Sequence, residues 1–174
     1  MIKLKDIDFK IISELMKNSK ISDRKLSKVV GVSQPTVSRK RAWLEKEELL
    51  VFTAIPDLVK LGFELMAFKF YSWTPEATLE RCQNGGKIMK KLSTYLSQHP
   101  NIIFASKGQG FGMQKMMISL HENYTNYVKL MNNVHEEWGM YLHESKSFIV
   151  SLKEDVTGRQ LTFKSLVEYI YKNR

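Results

Sequence analysis

The sequence predicts an α+β protein: a three-helix helix-turn-helix domain of the winged kind, then a ferredoxin-like βαββαβ domain with an extra C-terminal helix. Three observations lead there. Up to residue 55 the apolar residues recur at helical spacing, and Gly31 separates two short helical runs. At Phe63 the pattern changes to strand-like apolar runs. From that point the elements read strand, helix, strand, strand, helix, strand, the order of a sandwich with helices on one face of an antiparallel sheet. The expected domains are 1–55 and 63–174, with a hinge at 56–62.

In the first domain, Ile7, Ile11, Ile12 and Leu15 mark a first helix, with Asp6 as its N-cap. Asn18-Ser19 breaks it. Ser22 caps a second helix over Asp23–Val30, whose apolar residues are Leu26, Val29 and Val30. Gly31 ends that helix as a C′ glycine. Ser33 caps a third, and Pro35 falls in its first turn, where a missing N–H costs nothing. Val37 and Leu44 lie two turns apart on its inner face, and Glu45 to Glu48 carry it to its end. The β-rich stretch Leu49–Ile55 reads as a wing strand or an extended arm, and Leu58, Val59 and Leu61 give the hinge a short helical turn.

In the second domain the expected strands are Phe63–Trp73, Asn101–Ser106, Gln114–His121 and Tyr141–Leu152. Lys87–Gln98 and Asn123–Trp138 are helical, through Ile88, Leu92, Tyr95 and Leu96 in one and Tyr127, Leu130, Met131 and Val134 in the other. Gly108, Gly110 and Gly112 read as a glycine-rich connection. Phe163, Leu166, Val167 and Ile170 give a last amphipathic helix, packed on the domain or on a partner.

Helix, glycine-containing turn, helix is the arrangement that sets a second helix into the DNA major groove. Leu26, Val30, Val32 and Val37 fall where two crossing helices need apolar contacts, and Ser27 falls where only a small side chain fits. The net charge of +9 favours an anionic partner. No acid stands between Asp23 and Glu45, whereas Arg24, Lys25, Lys28, Arg39, Lys40 and Arg41 do. A run of one sign suits phosphate neutralisation. The outward residues of the third helix are Gln34, Pro35, Thr36, Ser38, Arg39 and Ala42. Gln and Arg can pair with adenine and guanine edges, and Ala, Pro and Thr can touch thymine methyls. Ser33 at the helix N-terminus favours a phosphate. The expected DNA-binding set is therefore Arg24, Lys25, Ser33, Gln34, Pro35, Thr36, Ser38, Arg39, Arg41 and Ala42. Lys40 stands where such units usually have an apolar residue, its stem packing while its ammonium reaches out. Trp43 is expected in the core.

Leu4 to Leu50 resembles the N-terminal domain of the Lrp/AsnC family of transcription regulators. The family's Leu-Asp-x-x-Asp-x-x-Ile-Leu opening corresponds to Leu4-Lys5-Asp6-Ile7-Asp8-Phe9-Lys10-Ile11-Ile12, and the match continues from Ile21 through Leu50. The second half is similar in element order and in Leu61-Gly62-Phe63. The resemblance implies a homodimer or higher even oligomer, and an amino acid or other small-molecule effector bound by the second domain. Two departures stand out. The family's glycine before the wing is Glu48 here, and Gly108-Gln109-Gly110-Phe111-Gly112-Met113 lacks the aspartate that often follows the second strand of that domain.

Other chemistries find less support. A lone Cys82 makes no intramolecular disulfide, and the four histidines lack metal-ligand spacing. No cofactor or metal is expected. The glycines at 108, 110 and 112 are not followed by Gly-Lys-Ser/Thr, as a phosphate loop would be. No apolar run is long enough for a membrane span, and Lys3, Lys5, Asp6 and Asp8 interrupt any signal sequence, so a cytoplasmic protein is expected. The reading is of a regulator rather than an enzyme. The alternatives are a tetrapyrrole-modifying enzyme on the same fold, which a C-terminal half poor in arginine disfavours, and a regulator that acts by protein contact only.

Overall fold

The computed structural model describes residues 3–83, 87–153 and 162–172, with the backbone alone for Glu80–Gln83 and for Tyr171 and Lys172. The Cys82 side chain lies outside that description. The chain forms two compact units, Met1–Ile55 with Gly158–Arg174, and Pro56–Thr157.

The first unit holds α1 (Asp6–Lys17), α2 (Asp23–Val30), α3 (Gln34–Lys46) and α7 (Leu166–Lys172). Its core takes two residues from each of the first three helices: Ile11 and Leu15, Leu26 and Val30, Val37 and Leu44. Each such side chain contributes about 1.5–3 kcal/mol on burial. Trp43, Val32 and Leu50 pack around them. Ser22 and Ser33 cap α2 and α3, accepting the Lys25 and Thr36 N–H groups at 3.4 Å each. Gly31 takes the left-handed conformation (φ 79°) that ends α2. Three expectations change. The N-cap of α1 is Lys5, and the Asp8 carboxylate accepts its backbone N–H at 2.8 Å. Val29 points outward, 60% exposed. α7 packs against α1, burying Val167, so the terminal helix belongs with this unit and not with residues 63–153.

The helix exit resolves the Glu48 departure. Glu48 adopts φ 55°. Its N–H reaches Glu45 O at 3.0 Å, and the Leu49 N–H reaches Leu44 O at 2.9 Å. That is a Schellman closure with glutamate in the C′ place usually held by glycine. The left-handed conformation costs an L-residue about 1–2 kcal/mol. Glu48→Gly is therefore expected to raise stability by about 0.5–1 kcal/mol, after glycine's greater freedom in the unfolded chain is discounted. A urea midpoint that stays put or falls would show that the glutamate side chain has a compensating role. Beyond Leu50 no wing strand forms: residues 51–57 carry no ladder pairing, and Val51 and Ile55 are exposed. The extended-arm reading is the one the structure takes, because a strand needs a neighbouring edge to pair with.

The second unit opens with a hydrogen-bonded turn. Leu61 N–H reaches Asp57 O at 3.1 Å, Phe63 N–H reaches Leu58 O at 3.0 Å, and Gly62 has φ 91°. It continues with β1 (Leu65–Trp73), α4 (Pro75–Gln83), α5 (Lys87–Gln98), β2 (Ile102–Gly110), β3 (Met113–His121), α6 (Tyr124–Trp138), a single 3-10 turn (Gly139–Tyr141) and β4 (Leu142–Ser151). The sheet is antiparallel with order β2-β3-β1-β4. The expected α+β class and ferredoxin-like topology are thus observed. α4 is an addition to the expected elements. The Thr74-Pro75 pair announces it, since the Thr74 hydroxyl accepts the Ala77 N–H at 3.2 Å and proline suits the first turn. The glycine-rich connection is a tight hairpin. Phe111 (φ 53°) and Gly112 (φ 75°) are its two central residues, with the positive φ values of a type I′ turn.

Tyr71, Trp73 and Met117 face α5 and α6, where they meet Tyr95, Leu130, Val134 and Trp138. Strand alternation places Phe68 on the opposite face. There Phe104, Ile118, Phe68 and Phe148 stand in register across all four strands, with Phe104 and Phe148 exposed. Among the described residues no helix is long and apolar enough to cross a membrane.

His121 is buried at the end of β3, where Ser119 Oγ lies 2.8 Å from its Nε2. Burial holds its pKa below the ordinary 6.5, although Glu122 pulls it upward. A base whose pKa is lower folded than unfolded binds its proton better unfolded. Its contribution is therefore complete above 6.5 and is lost as pH falls through the lower folded value. The urea midpoint should drop between pH 7.5 and 5, and His121→Gln should flatten that dependence. An unchanged slope in the variant would assign the effect to other groups.

Candidate nucleic-acid interface

Consecutive helical residues are about 100° apart around the axis, so a run such as Arg39-Lys40-Arg41 cannot share one face. The structure separates it. Pro35, Arg39, Ala42 and Lys46 form one exposed stripe along α3, at spacings of four, seven and eleven residues. Ser33 and Gln34 are exposed at its N-terminus, and Thr36 is half-buried, its hydroxyl 2.9 Å from that of Ser33. Arg24, Lys25 and Lys28 are exposed on α2. Lys46 was not among the expected contacts, but its place two turns beyond Arg39 was a readable signal.

Lys40 and Arg41 turn the other way. The Lys40 ammonium forms an ion pair with Asp8, whose side chain is 2% exposed, so the expectation that this ammonium reaches outward is corrected. An apolar partner at that position would leave a buried carboxylate with the Lys5 N–H but no cation beside it. Arg41 Nη1 donates to Asp23 Oδ1 at 2.9 Å and to Ile21 O at 3.2 Å, and Nη2 donates to Ser19 O at 3.0 Å. Its guanidinium also lies 5.1 Å from the centre of the Phe52 ring. The fork therefore fastens α3 to the loop between α1 and α2 and to the arm. Ser38 Oγ donates to Asp23 Oδ2 at 2.6 Å. That bond first, and Arg41 second, hold the Asp23 carboxyl below the usual carboxylate range. Ser38 and Arg41, both expected to contact DNA, are thus engaged within the domain, and the acid that engages them stands at the start of α2.

What remains outward is a helix N-terminus with a serine cap, one amide, small residues and unpaired-face cations. Such a surface can neutralise phosphates and present an amide and a guanidinium to base edges. Among the described residues no group of His, Cys, Asp and Glu side chains is gathered as a metal would require.

Residues 4–51 match the family described as winged helix-turn-helix DNA-binding. Over 66 residues the chain is 35% identical to the HTH-type transcriptional regulator FL11 of Pyrococcus furiosus, a stretch covering 37% of this chain and 44% of that protein. The match thus spans less than half of that relative's length. The fold is similar over most of the chain to a transcriptional regulator from Neisseria meningitidis solved as its L-Met complex (TM-score 0.70, 17% identity, 94% of this chain and 99% of that one). It is also similar to an AsnC family transcriptional regulator from Agrobacterium tumefaciens (TM-score 0.69, 16% identity, 94% and 99%). Over most of its length the chain thus has the fold of those solved structures, and the helix-turn-helix unit lies within the matched residues 4–51.

Proposed function

We propose that this chain is an Lrp/AsnC-type regulator of transcription that binds double-stranded DNA sequence-specifically through α3, and is not an enzyme. The observation that carries the reading is the exposed stripe of Pro35, Arg39, Ala42 and Lys46, beside Ser33 and Gln34, on the second helix of the helix-turn-helix unit. In this reading Gln34 and Arg39 face base edges, and Arg24, Lys25, Lys28 and Lys46 face phosphates. Such a protein works where its DNA is, in the cytoplasm.

The row of Phe104, Ile118, Phe68 and Phe148 supports a second copy on that sheet face, since exposed apolar rows of this kind mark contact surfaces. A two-fold dimer would read a pseudo-palindrome with half-sites one helical turn, or a multiple of it, apart. A small-molecule effector of the second unit is supported by the L-Met complex of the Neisseria protein. The tight hairpin at Phe111 and Gly112, without an aspartate, argues for a different recognition chemistry here.

Selection of bound DNA from a random pool by the full chain tests the reading, with the oligomer mass measured by light scattering. Enrichment of a pseudo-palindrome by a dimer or higher even oligomer is expected. A pool that stays random after repeated rounds would sink it.

A further inference from the structure

The terminal helix is held to the first unit lightly. α7 packs against α1, and among its described side chains Val167 alone is buried, 4% exposed. Leu166 and Tyr169 are exposed. Ile11, Leu15, Leu26, Val30, Val37 and Leu44 close the core of the unit with no described residue of α7 in that cluster. The seam beside α7 is not filled. A groove of about 550 Å³ runs between α1, α2 and α7, and Ser13, Val29, Val30 and Val167 are among its walls. The Ser13 hydroxyl is buried and finds no hydrogen-bond partner among the described residues. A helix of seven residues does not persist in water unaided. α7 is therefore helical because it is docked, and its undocking and unfolding are one local step that leaves α1, α2 and α3 in place.

Docking has a topological consequence. The chain passes between the two units twice, between Ile55 and Pro56 and between Thr157 and Gly158. Both connections are rooted at one corner of the sheet. Glu64, just before β1, donates its N–H to His121 O at 2.9 Å and accepts that of Leu152, just after β4, at 2.7 Å. Its carboxylate also pairs with the Lys153 ammonium. A single connection lets the first unit swivel about it. Two connections, rooted side by side and fixed to the first unit at different helices, remove much of that freedom.

We propose that α7 is a releasable strap. Docked, it restrains the first unit through the second connection and fixes the half-site spacing that a dimer reads. Released, it lets the unit reach other spacings. The spacing role rests on the regulator reading, whereas the release does not.

The test uses the full chain and two variants. Val167→Asp places a charge in the buried contact, and Leu166→Asp places the same charge on the exposed side one residue away. Hydrogen exchange without DNA should show α7 losing protection in Val167→Asp while α1, α2 and α3 keep theirs, and no change in Leu166→Asp. Affinity is then compared between a duplex with the selected half-site spacing and one with the half-sites half a helical turn (~5 base pairs) further apart. Wild type and Leu166→Asp should bind the second duplex at least about tenfold more weakly, and Val167→Asp should bind the two within about threefold of each other. Protection of α7 that persists in Val167→Asp, or that falls in α1, α2 and α3 as well, would overturn the strap. An equal penalty in wild type and in Val167→Asp with α7 released would overturn its role in spacing. Wild type that binds neither duplex more tightly than a scrambled one would remove the regulator reading and the spacing role with it, and exchange alone would then decide the strap.

Discussion

Lys40→Ala is expected to destabilise the first unit by about 3 kcal/mol, the lower part of the range for breaking a buried pair, because the lysine end is partly solvated. Asp8 is the reason. Its side chain is 2% exposed, and it closes the start of α1 by accepting the Lys5 N–H while it pairs with Lys40 on α3. Removing the ammonium leaves a carboxylate that can neither reach water nor give up its place. The same argument predicts that Asp8→Leu with Lys40→Met recovers most of the loss, since a well-packed apolar pair can replace a buried ionic one. Hydrogen exchange of the α1 and α3 amides reads this unit separately from the sheet. Unchanged protection in Lys40→Ala would show that Asp8 is solvated in solution and that the pair is ornamental.

Arg39→Ala and Arg41→Ala should part company, although the residues are two apart. Arg39 is exposed on the stripe, so its loss should leave the urea midpoint within about 0.5 kcal/mol of wild type, as surface changes usually do. Its expected cost is in DNA affinity, about 1–3 kcal/mol on the preferred sequence if it reads a base. An equal loss on every sequence, with a shallower salt slope, would make it a phosphate contact instead. Arg41 holds Asp23, Ile21 O and Ser19 O. Arg41→Ala should therefore cost about 2 kcal/mol of stability, in line with hydrogen bonds to charged groups. Lysine should recover only part, lacking the planar fork. A variant Arg41→Ala that is as stable as wild type yet fails to bind DNA would reverse the two roles.

Much of what is local was legible in the sequence, although the N-cap of α1 and the whole of α4 were missed. Ser22, Gly31, Ser33 and Pro35 mark helix ends by chemistry that acts within four residues, and each is where spacing predicts it. The sequence of strands and helices along the second unit, α4 apart, followed from the spacing of its apolar residues after Phe63. The site was only half legible, because a basic run shows charge but not facing. Arg39, Lys40 and Arg41 look alike in sequence, and only Asp8 and Asp23, supplied by other helices, turn two of them inward. The period of α3 could have separated Arg39 from its neighbours, since Val37 and Leu44 already fixed the inner face. At Glu48 the left-handed turn is kept although the residue that usually permits it is absent, which the departure in sequence does not show. The wing strand failed because β-rich composition does not supply a pairing edge. Packing of α7 on α1 joins residues more than 140 positions apart in sequence and leaves no local trace.

The most direct test of the central claim is the affinity of the full chain for its selected DNA site and for a scrambled duplex of equal length, each measured from 50 to 200 mM salt. The account predicts that log K falls with log salt on both duplexes and that the selected site is bound at least about 10³-fold more tightly. It also predicts that Arg39→Ala narrows that ratio while its unfolding midpoint stays put. Equal affinity for the two duplexes at every salt concentration would contradict it.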